Sequence, residues 1–310
     1  MLDFQEITLR QKPLLDAYFA AYGEGSCQHS FATSYCFRGK YGDLFAQEDG
    51  YLFIRRAGRE LPESRCYLFP MGDTGDRSAL RSAVEKILDD AARFGKTARF
   101  ESVTEQAALF LSELFPGRFE LQDERDLYEY LYRTGDIEAL KGRNFYSKRR
   151  YVNAFWRDYS ERARTELIRP AHYEGIRAVH EKWLKISRSE EYAVQLRIEH
   201  ATVEKALAEF DALNLTGLVI FIDEQIEGYI YGTPLNGDVM DAMVGKVNRS
   251  EWKNLYPVLY QSFAKECCRN CSLINWEEDL GAEGLRKMKL SYRPAKMIRK
   301  FIVTERHPHE

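Results

Sequence analysis

The chain has 310 residues, of which 45% are apolar and 30% charged, and its formal net charge is −3. This length and apolar content suit two ordinary globular domains and exclude a disordered chain. The small negative charge excludes a global attraction to polyanions, so any basic surface must come from local clustering.

Neither a membrane span nor an export signal is visible in the sequence. The longest apolar run, Leu218–Ile222, is far shorter than the roughly 20 residues that cross a bilayer. The N-terminal stretch MLDFQEITLRQKPLL lacks the apolar region of a signal peptide. We therefore predict a cytoplasmic protein without an integral membrane segment.

Six cysteines in a chain of this length are expected to be reduced thiols. Cys268 and Cys271 form one C-x-x-C motif, but no second pair of ligands completes a tetrahedral zinc set. The sequence therefore predicts no metal site and favours small buried side chains at a helix end.

The N-terminal part predicts a mixed α and β region. Apolar spacing predicts helices at 13–22 and 78–94, and the aromatic and branched stretches GYLFIRRAG and RCYLFPMG predict a hairpin-like pair of strands. A strand TARFESV, a helix EQAALFLSELF and a strand within DLYEYLYRT follow.

The C-terminal part repeats this order. Helices at 171–185 and 192–213 precede the hairpin TGLVIFIDEQIEGYIYGTPL, which is expected to turn at Asp223-Glu224-Gln225. A strand DVMDAMVGKV, a helix at 255–268, a strand CSLINW, a short helix at 282–290 and a closing strand around 297–303 complete it. Two copies of one α+β fold are the simplest explanation.

This order of elements resembles the GNAT acyltransferase fold, a twisted mixed sheet whose two splayed strands hold the acyl donor. We predict tandem GNAT-like domains at 1–135 and 166–310, each a twisted mixed sheet flanked by helices, with a basic linking helix at 136–165. Neither half contains the Arg/Gln-x-x-Gly-x-Gly/Ala loop that binds the coenzyme A pyrophosphate in typical GNAT enzymes. The nearest fragment, PMGDTGDRS, predicts a turn and a helix N-cap.

The linking segment KGRNFYSKRRYVNAFWRDYSERAR is strongly basic, with six cations and no acid between Lys141 and Arg157. Lys148, Arg149 and Arg150 stand among aromatic residues, a pattern that favours a polyanion contact because cations bind phosphates and rings stack on bases. The alternative is a solvated interdomain helix whose cations pair with neighbouring acids.

The stretch NWEEDLGAEGLRKMKLSYRPAKMIRK places three consecutive acids, and then Glu283, before seven cations. Strand alternation predicts Glu277 and Asp279 on one side and Glu278 on the other. A carboxylate beside a cationic pocket could accept the proton of an attacking amine or hydroxyl, and Glu278 is the preferred candidate because Asp279 is also a natural helix cap. The helix macrodipole alone would explain the first cations but not the last four.

Two of these stretches resemble motifs of one family. KGRNFYSKRRYVNAFW is similar to the lysine-arginine helix motif, and NWEEDLGAEGLRKMKLSYRP to the C-terminal signature, of the phosphatidylglycerol lysyltransferase C-terminal-domain-like family. Its members are tandem GNAT-like proteins related to the Fem aminoacyltransferases. DLYEYLYRT and the segment 183–213, with Glu199, also fit. The resemblance implies aminoacyl transfer from aminoacyl-tRNA to a lipid head-group hydroxyl or, as in Fem relatives, to a peptidoglycan amine.

The charge pattern of the two stretches, together with the resemblance, predicts a set of site residues. The predicted catalytic residues are Glu278, Asp279 and Lys246, with Lys246 or Arg286 stabilising the oxyanion. The predicted donor-binding residues belong to the two motifs: Lys148, Arg149, Arg150, Asn153, Asn275, Glu277, Arg286, Lys289, Ser291, Tyr292 and Arg293. Three positions depart from the family pattern, with Arg150 in place of asparagine, Gly245 in place of glutamate and Trp276 in place of arginine.

The favoured function is an acyltransferase that moves an aminoacyl group from aminoacyl-tRNA to an amine or hydroxyl. The acceptor would be a small molecule, a peptide or a lipid head group, and no cofactor is expected beyond the donor. Two alternatives remain, an acyl-CoA-dependent N-acyltransferase and a non-catalytic protein that binds RNA or another polyanion.

Overall fold

The structure, a computed structural model, describes residues 1–186, 193–252 and 254–306. The chain forms two compact units: the first comprises 1–129, 278–282 and the chain from Met297 onward, and the second comprises 130–277 and 283–296. The strands are β1 Gln5–Glu6, β2 Asp43–Glu48, β3 Tyr51–Arg56, β4 Ser64–Tyr67, β5 Thr97–Thr104, β6 Phe119–Asp123, β7 Glu129–Arg133, β8 Ala163–Leu167, β9 Thr216–Ile222, β10 Gln225–Pro234, β11 Val239–Val247, β12 Leu273–Asn275, β13 Lys296–Ile298 and β14 Lys300–Glu305. The helices are α1 Lys12–Tyr22, α2 Phe31–Cys36, α3 Arg38–Tyr41, α4 Arg77–Ala92, α5 Glu105–Leu114, α6 Thr134–Ala139, α7 Tyr146–Tyr159, α8 Tyr173–Ile186, α9 Ala193–Ala208, α10 Tyr256–Cys267 and α11 Glu283–Leu290.

The first unit is built on a seven-stranded sheet in the order β1-β2-β3-β4-β5-β14-β6. Strands β4 and β5 are parallel over four residue pairs, and helix α4 is the crossover that a parallel pair requires. The apolar stripe predicted for α4 is buried in the core, where Leu80, Val84 and Ile87 pack with Phe53 and Phe100 of the sheet. The periodicity of α4 therefore decides which face of the helix covers the sheet.

The second unit has the same plan around a sheet in the order β13-β7-β12-β11-β10-β9-β8. Strands β11 and β12 are parallel over three residue pairs, with α10 as their crossover. The hairpin β9–β10 turns at Asp223 and Glu224, both with positive φ, as predicted. Each unit thus contains an antiparallel hairpin followed by a strand–helix–strand unit, which confirms the predicted α+β class with two mixed sheets.

Most predicted helices are confirmed to within about two residues, whereas several strands escaped prediction. Helix α9 ends at Ala208 instead of the predicted residue 213, and its predicted start, Tyr192, lies outside the described residues. The unpredicted strands are β1, β2, β6 and β8. Three of them form sheet edges, where little apolar surface is buried and alternation is weak.

The predicted closing strand at 297–303 is in fact two strands in two different sheets. Strand β13 belongs to the second sheet, and β14 lies between β5 and β6 in the first. The predicted C-terminal domain of 166–310 therefore differs from the structure, because the segment 278–282 and strand β14 belong to the first unit. Pairing between strands distant in sequence leaves no trace in local periodicity.

Candidate active site

The acidic triplet lies beyond the end of β12 and is not part of a strand. Asn275 Oδ1 accepts a hydrogen bond from the Glu277 N–H at 2.8 Å, and Glu277 has a φ of 56°. This left-handed conformation turns the chain, so the predicted strand alternation of the three carboxylates is wrong. Glu277 belongs to the second unit, whereas Glu278 and Asp279 belong to the first.

Glu278 is the partly exposed member of a polar cluster in the first unit. Its Oε1 accepts a hydrogen bond from Gln28 Nε2 at 2.6 Å, and Cys27 Sγ lies 3.6 Å from the same oxygen. The carboxylate is therefore held from the interior and still reaches the surface. We call the whole group the Glu278 cluster, which consists of Ser26, Cys27, Gln28, Glu129, Glu278 and Lys300.

The base of the Glu278 cluster is a buried ion pair between Lys300 and Glu129. The two charged groups are 2.8 Å apart, and both side chains have 0% exposure. Ser26 Oγ accepts from Lys300 Nζ at 2.6 Å and donates to Glu129 Oε1 at 2.7 Å, while the Cys27 N–H donates to Glu129 Oε2 at 2.9 Å. Buried charges persist only when they are paired and hydrogen-bonded in this way.

Cys27, Glu129 and Glu278 are also the one group of three potential metal ligands within the described ranges, and their ligand atoms lie within 4.8 Å of one another. The group does not include Cys268 or Cys271. The ammonium of Lys300 already neutralises Glu129. A metal cation would have to displace or oppose that charge, so the donor set fits a resident metal poorly.

His29 adjoins the Glu278 cluster but is not placed as a general base. It is buried, and its Nδ1–H donates to the Gly23 carbonyl at 3.0 Å. Burial, together with the charge of Lys300, lowers the pKa of His29 to about 4. The imidazole is therefore neutral near pH 7.

Asp279 occupies an interior position. Its side chain has 0% exposure, accepts from Arg125 Nη1 at 3.2 Å and accepts the Gly281 N–H at 3.0 Å. Of the two roles predicted for it, capping and proton transfer, these contacts favour the structural one.

In the second unit, α7 meets the segment that follows α11. Lys148 Nζ donates to the Ser291 carbonyl at 3.0 Å and lies 5.0 Å from the ring centroid of Tyr292. Burial and the nearby charge of Arg293 lower the pKa of Lys148 below its usual value. The basic helix therefore meets the part of the C-terminal basic stretch around Arg293 within one unit, whereas Arg299 and Lys300 of that stretch belong to the first unit.

The remaining predicted residues on the two basic helices divide by exposure. Arg150 and Asn153 are exposed on α7, and Arg286 is half-buried on α11. Arg149 donates to the carbonyl oxygens of Leu140 and, at 3.2 Å, Gly142, so it fixes the turn that precedes its own helix. Arg150 and Asn153 are thus the ones that α7 presents to a large ligand.

Lys289 is buried, unlike the substrate-facing cation that was predicted. Its exposure is 5%, and its ammonium donates to the carbonyl oxygens of Trp276 at 2.5 Å and Glu277 at 3.2 Å. Asn275 and Tyr292 are buried as well. These residues shape the backbone around the acidic triplet, and direct donor contact by Lys289 is not favoured because its hydrogens already serve carbonyls.

Lys246, the residue predicted to stabilise the oxyanion, lies on β11 and contacts Glu199 and Trp183. Its Nζ lies 2.5 Å from a carboxylate oxygen of Glu199 and 3.5 Å from the ring centroid of Trp183. Gly245 beside it would meet the Ile230 side chain at 3.3 Å if it carried a Cβ. Glu199 supplies the carboxylate next to Lys246 where the family pattern has a glutamate at 245.

Trp276 stands at the centre of an aromatic cluster that we call the Trp276 cluster. Its ring centroid lies 4.2 Å from that of Tyr132, 4.4 Å from Tyr260 and 4.9 Å from Tyr292. The indole is 6% exposed, and Nε1 has no hydrogen-bond partner among the described residues. Packing therefore accounts for tryptophan here, where the family pattern has arginine.

A pocket in the first unit opens where β4 and β5 separate. Strand β5 continues to Thr104 after β4 has ended, and about 400 Å3 of space, part of it open to solvent, lies between Phe69, Met71, Val103 and Phe110. The nearby N-terminus of α4 is capped by Asp76, whose carboxylate accepts the N–H groups of the first turn. The predicted N-cap in PMGDTGDRS is thus confirmed.

Sequence reasoning missed four members of the Glu278 cluster: Ser26, Cys27, Gln28 and Glu129. The signal that could have found Glu129 is an acid flanked by tyrosines on both sides in DLYEYLYRT, where a carboxylate has to be buried with a partner. The partner, Lys300, resembles any other cation of the C-terminal stretch.

Within the described residues, no helix is both long and apolar enough to cross a bilayer.

The fold is shared with other solved structures, including the following three. A conserved protein of unknown function from Bacteroides thetaiotaomicron is 27% identical, with a TM-score of 0.91, over 99% of this chain and 100% of that chain. L-PGS from Bacillus licheniformis is 12% identical, with a TM-score of 0.65, over 96% of this chain and 92% of that chain. FemX is 9% identical, with a TM-score of 0.62, over 97% of both chains. The last two likenesses show the fold alone.

An uncharacterised protein of Mycoplasmoides gallisepticum is 23% identical over 174 residues, which cover 56% of this chain and 55% of that protein. The match thus spans about half the length of that curated relative. The family described as phosphatidylglycerol lysyltransferase, C-terminal, matches residues 19–304. This range contains both parallel strand pairs, α7 and the whole Glu278 cluster. The chain therefore belongs to the phosphatidylglycerol lysyltransferase C-terminal family.

Proposed function

We propose that this protein transfers an aminoacyl group from aminoacyl-tRNA to an amine or hydroxyl acceptor. The observation that carries the proposal is the carboxylate of Glu278, which is partly exposed and held by a hydrogen bond from Gln28. Membership of a lysyltransferase family supports aminoacyl transfer as the reaction class.

In the proposed reaction, the acceptor nitrogen or oxygen attacks the ester carbonyl carbon of aminoacyl-tRNA. Glu278 takes the proton of the attacking atom, the new amide or ester bond forms, and the bond to the ribose oxygen breaks. The ribose oxygen leaves as a hydroxyl after taking up that proton. Proximity of the two substrates is sufficient, and no covalent enzyme intermediate or cofactor is required.

The cations of the second unit are proposed to bind the donor. A tRNA carries one negative charge per phosphate, and exposed arginines bind phosphates through two parallel hydrogen bonds. The exposed Arg150 on α7 and the neighbouring pair Lys148 and Arg293 provide such charges, and the exposed amide of Asn153 can add a neutral hydrogen bond. Lys246, or Arg286 in its place, is proposed to stabilise the oxyanion of the tetrahedral intermediate.

The direct test follows the loss of charged tRNA. The purified protein is mixed with tRNA charged with one amino acid at a time, and with phosphatidylglycerol in detergent micelles or a lysine-containing peptide. The proposal expects acceptor-dependent deacylation and an aminoacylated product detected by mass spectrometry. Glu278→Gln should lower the rate at least about 100-fold, whereas Glu283→Gln on the exposed start of α11 should leave it unchanged.

The absence of acceleration with every charged tRNA and both acceptors would refute the proposal. Tight binding of tRNA without transfer, unaffected by Glu278→Gln, would instead support the non-catalytic polyanion binder.

The pocket between β4 and β5 favours acyl-CoA as a second candidate donor. Against it, Asp76 already occupies the N–H groups of α4 that would bind a pyrophosphate, and its charge would repel one. A thermal-shift comparison separates the two donors, because a ligand of the native state raises the unfolding midpoint. We expect tRNA to raise Tm and coenzyme A to leave it unchanged.

A further inference from the structure

Gln28 links Glu278 to the interior of the first unit. Its Nε2 donates to Glu278 Oε1 at 2.6 Å, and its Oε1 accepts from Arg56 Nη2 at 2.9 Å. A guanidinium can only donate hydrogen bonds. The amide oxygen of Gln28 must therefore face Arg56, which leaves its NH2 group facing Glu278.

Arg56 is itself fixed in place. It is 1% exposed, its guanidinium lies 3.6 Å from Asp43 Oδ1, and it stacks 4.2 Å from the ring centroid of Tyr41. Asp43 is buried and accepts from Ser34 Oγ at 3.0 Å. An amide whose oxygen is held by a buried, ion-paired guanidinium cannot turn over without leaving that charge poorly solvated.

We propose that Gln28 is the positioning residue for Glu278, because it fixes one carboxylate oxygen in place by donating a hydrogen bond to it. The inference rests on the proposed role of Glu278 as proton acceptor and extends it to a residue outside both sequence motifs.

Several other titratable groups face Glu278 and define its electrostatic surroundings. Cys27 Sγ lies 3.6 Å from Glu278 Oε1. A carboxylate oxygen of Glu129 lies within 4.8 Å of the Cys27 sulfur and of a Glu278 carboxylate oxygen. Burial raises the pKa of Tyr41, with smaller and opposite effects of Lys40 and Glu278. Lys300 neutralises Glu129, so Gln28 and Arg56 are not acting against a second unpaired carboxylate.

The test replaces Gln28 by glutamate, which has the same shape but presents an acceptor to Glu278 instead of a donor. In Gln28→Glu the new carboxylate can still accept from Arg56, but it repels the carboxylate of Glu278 instead of donating to it. The protonation of Glu278 should then shift to higher pH. The readout is the 13C NMR titration of protein labelled at the glutamate side-chain carboxyl, with the resonance assigned by its loss in Glu278→Gln.

This titration needs no catalytic activity. In the transfer assay, the acid limb of the pH–rate profile should also move to higher pH. The kcat at neutral pH should fall about 10- to 100-fold while KM for charged tRNA changes little. Gln47→Glu, at an exposed glutamine of the same unit, is the matched control and should shift neither curve.

A folded Gln28→Glu protein in which the Glu278 titration does not move would overturn the inference. A moved titration without any transfer activity in the unmodified protein would overturn the proposed function but not the control of Glu278 by Gln28. In the double variant Gln28→Glu, Glu278→Gln, the amide at position 278 can donate to the carboxylate at position 28. Its Tm should therefore be higher than that of Gln28→Glu alone, but its transfer activity should stay low. If Gln28→Glu does not fold, Gln28→Asn, which is too short to bridge Arg56 and Glu278, provides the same titration test.

Discussion

The two units share one topology but differ in what fills the space beside their parallel strands. In the first unit, buried charges and amides surround Lys300 and Glu129. In the second, the tilted and edge-on rings of the Trp276 cluster fill part of the interior, and cations lie on α7 and after α11. A repeated fold therefore does not carry a repeated site, because the chemistry depends on the side chains placed on it.

The same contrast holds at the crossover helices. The carboxylate of Asp76 accepts N–H groups of the first turn of α4, whereas α10 begins at Tyr256, has Pro257 in its first turn and has no side-chain cap. Both arrangements satisfy or remove backbone donors that a phosphate would otherwise need. Neither helix start is prepared for a coenzyme A pyrophosphate, which agrees with the missing loop in the sequence.

Removing a charge from the polar interior should have the largest effect on stability. Lys300→Met leaves Glu129 buried without its cation, so we expect the free energy of unfolding to fall by about 3 to 5 kcal/mol. Arg299→Met, which breaks only exposed ion pairs, should cost less than about 1 kcal/mol. Urea unfolding followed by circular dichroism measures both losses. Equal losses would show that the buried ion pair contributes no more to the free energy of unfolding than the exposed pairs do.

An apolar deletion in the second unit should cost a similar amount for a different reason. Trp276→Ala removes the ring that joins Tyr132, Tyr260 and Tyr292, and cavities of this kind cost about 3 to 5 kcal/mol. Trp276→Phe should recover most of the loss because the indole N–H has no partner to lose. A full loss in Trp276→Phe would contradict the packing account of this residue.

Acidic pH should weaken the first unit through His29. Its pKa is about 4 in the folded protein against 6.5 for the ordinary side chain, so the unfolded chain binds the proton first as pH falls. The contribution of His29 to the free energy of unfolding is fully present above pH 6.5. It is lost as the pH falls from there to pH 4, and the loss at pH 5 is about 2 kcal/mol.

His29→Gln should remove that part of the pH dependence, as measured by Tm at pH 7 and pH 5. Burial also lowers the pKa of His180 in the second unit to about 4. His180→Gln should therefore reduce the pH dependence of Tm in the same way. An unchanged pH dependence in both variants would show that other groups control acid unfolding.

The smallest expected effect belongs to the cap of α4. Asp76→Ala removes the acceptor of two N–H groups and should lower stability by about 1 kcal/mol. Asp89→Ala near the other end of the same helix removes an exposed negative charge from the negative pole of the dipole and should be neutral or slightly stabilising. The reverse order of the two variants would refute the capping role.

The sequence allowed the element order to be predicted because α4, α10 and the β9–β10 hairpin carry strong periodicity. It did not allow the place of β14 to be predicted, since pairing with β5 depends on contacts about 200 residues apart in the chain. The acidic triplet was identified, but its conformation was not, because a positive φ at Glu277 has no signature in a non-glycine residue. Buried Lys289 and Lys300 were counted with the surface cations, since burial of a charge depends on partners distant in sequence.

The position of β14 also has a consequence for synthesis on the ribosome. Strand β14 is synthesised after the strands and helices of the second unit. The edges of β5 and β6 that pair with β14 therefore have no partner while more than half of the chain is synthesised. Glu129 waits equally long for the cation that neutralises it. The nascent first unit is therefore incomplete until the ribosome has passed the second, and this interval is when a chaperone would be most useful to the chain.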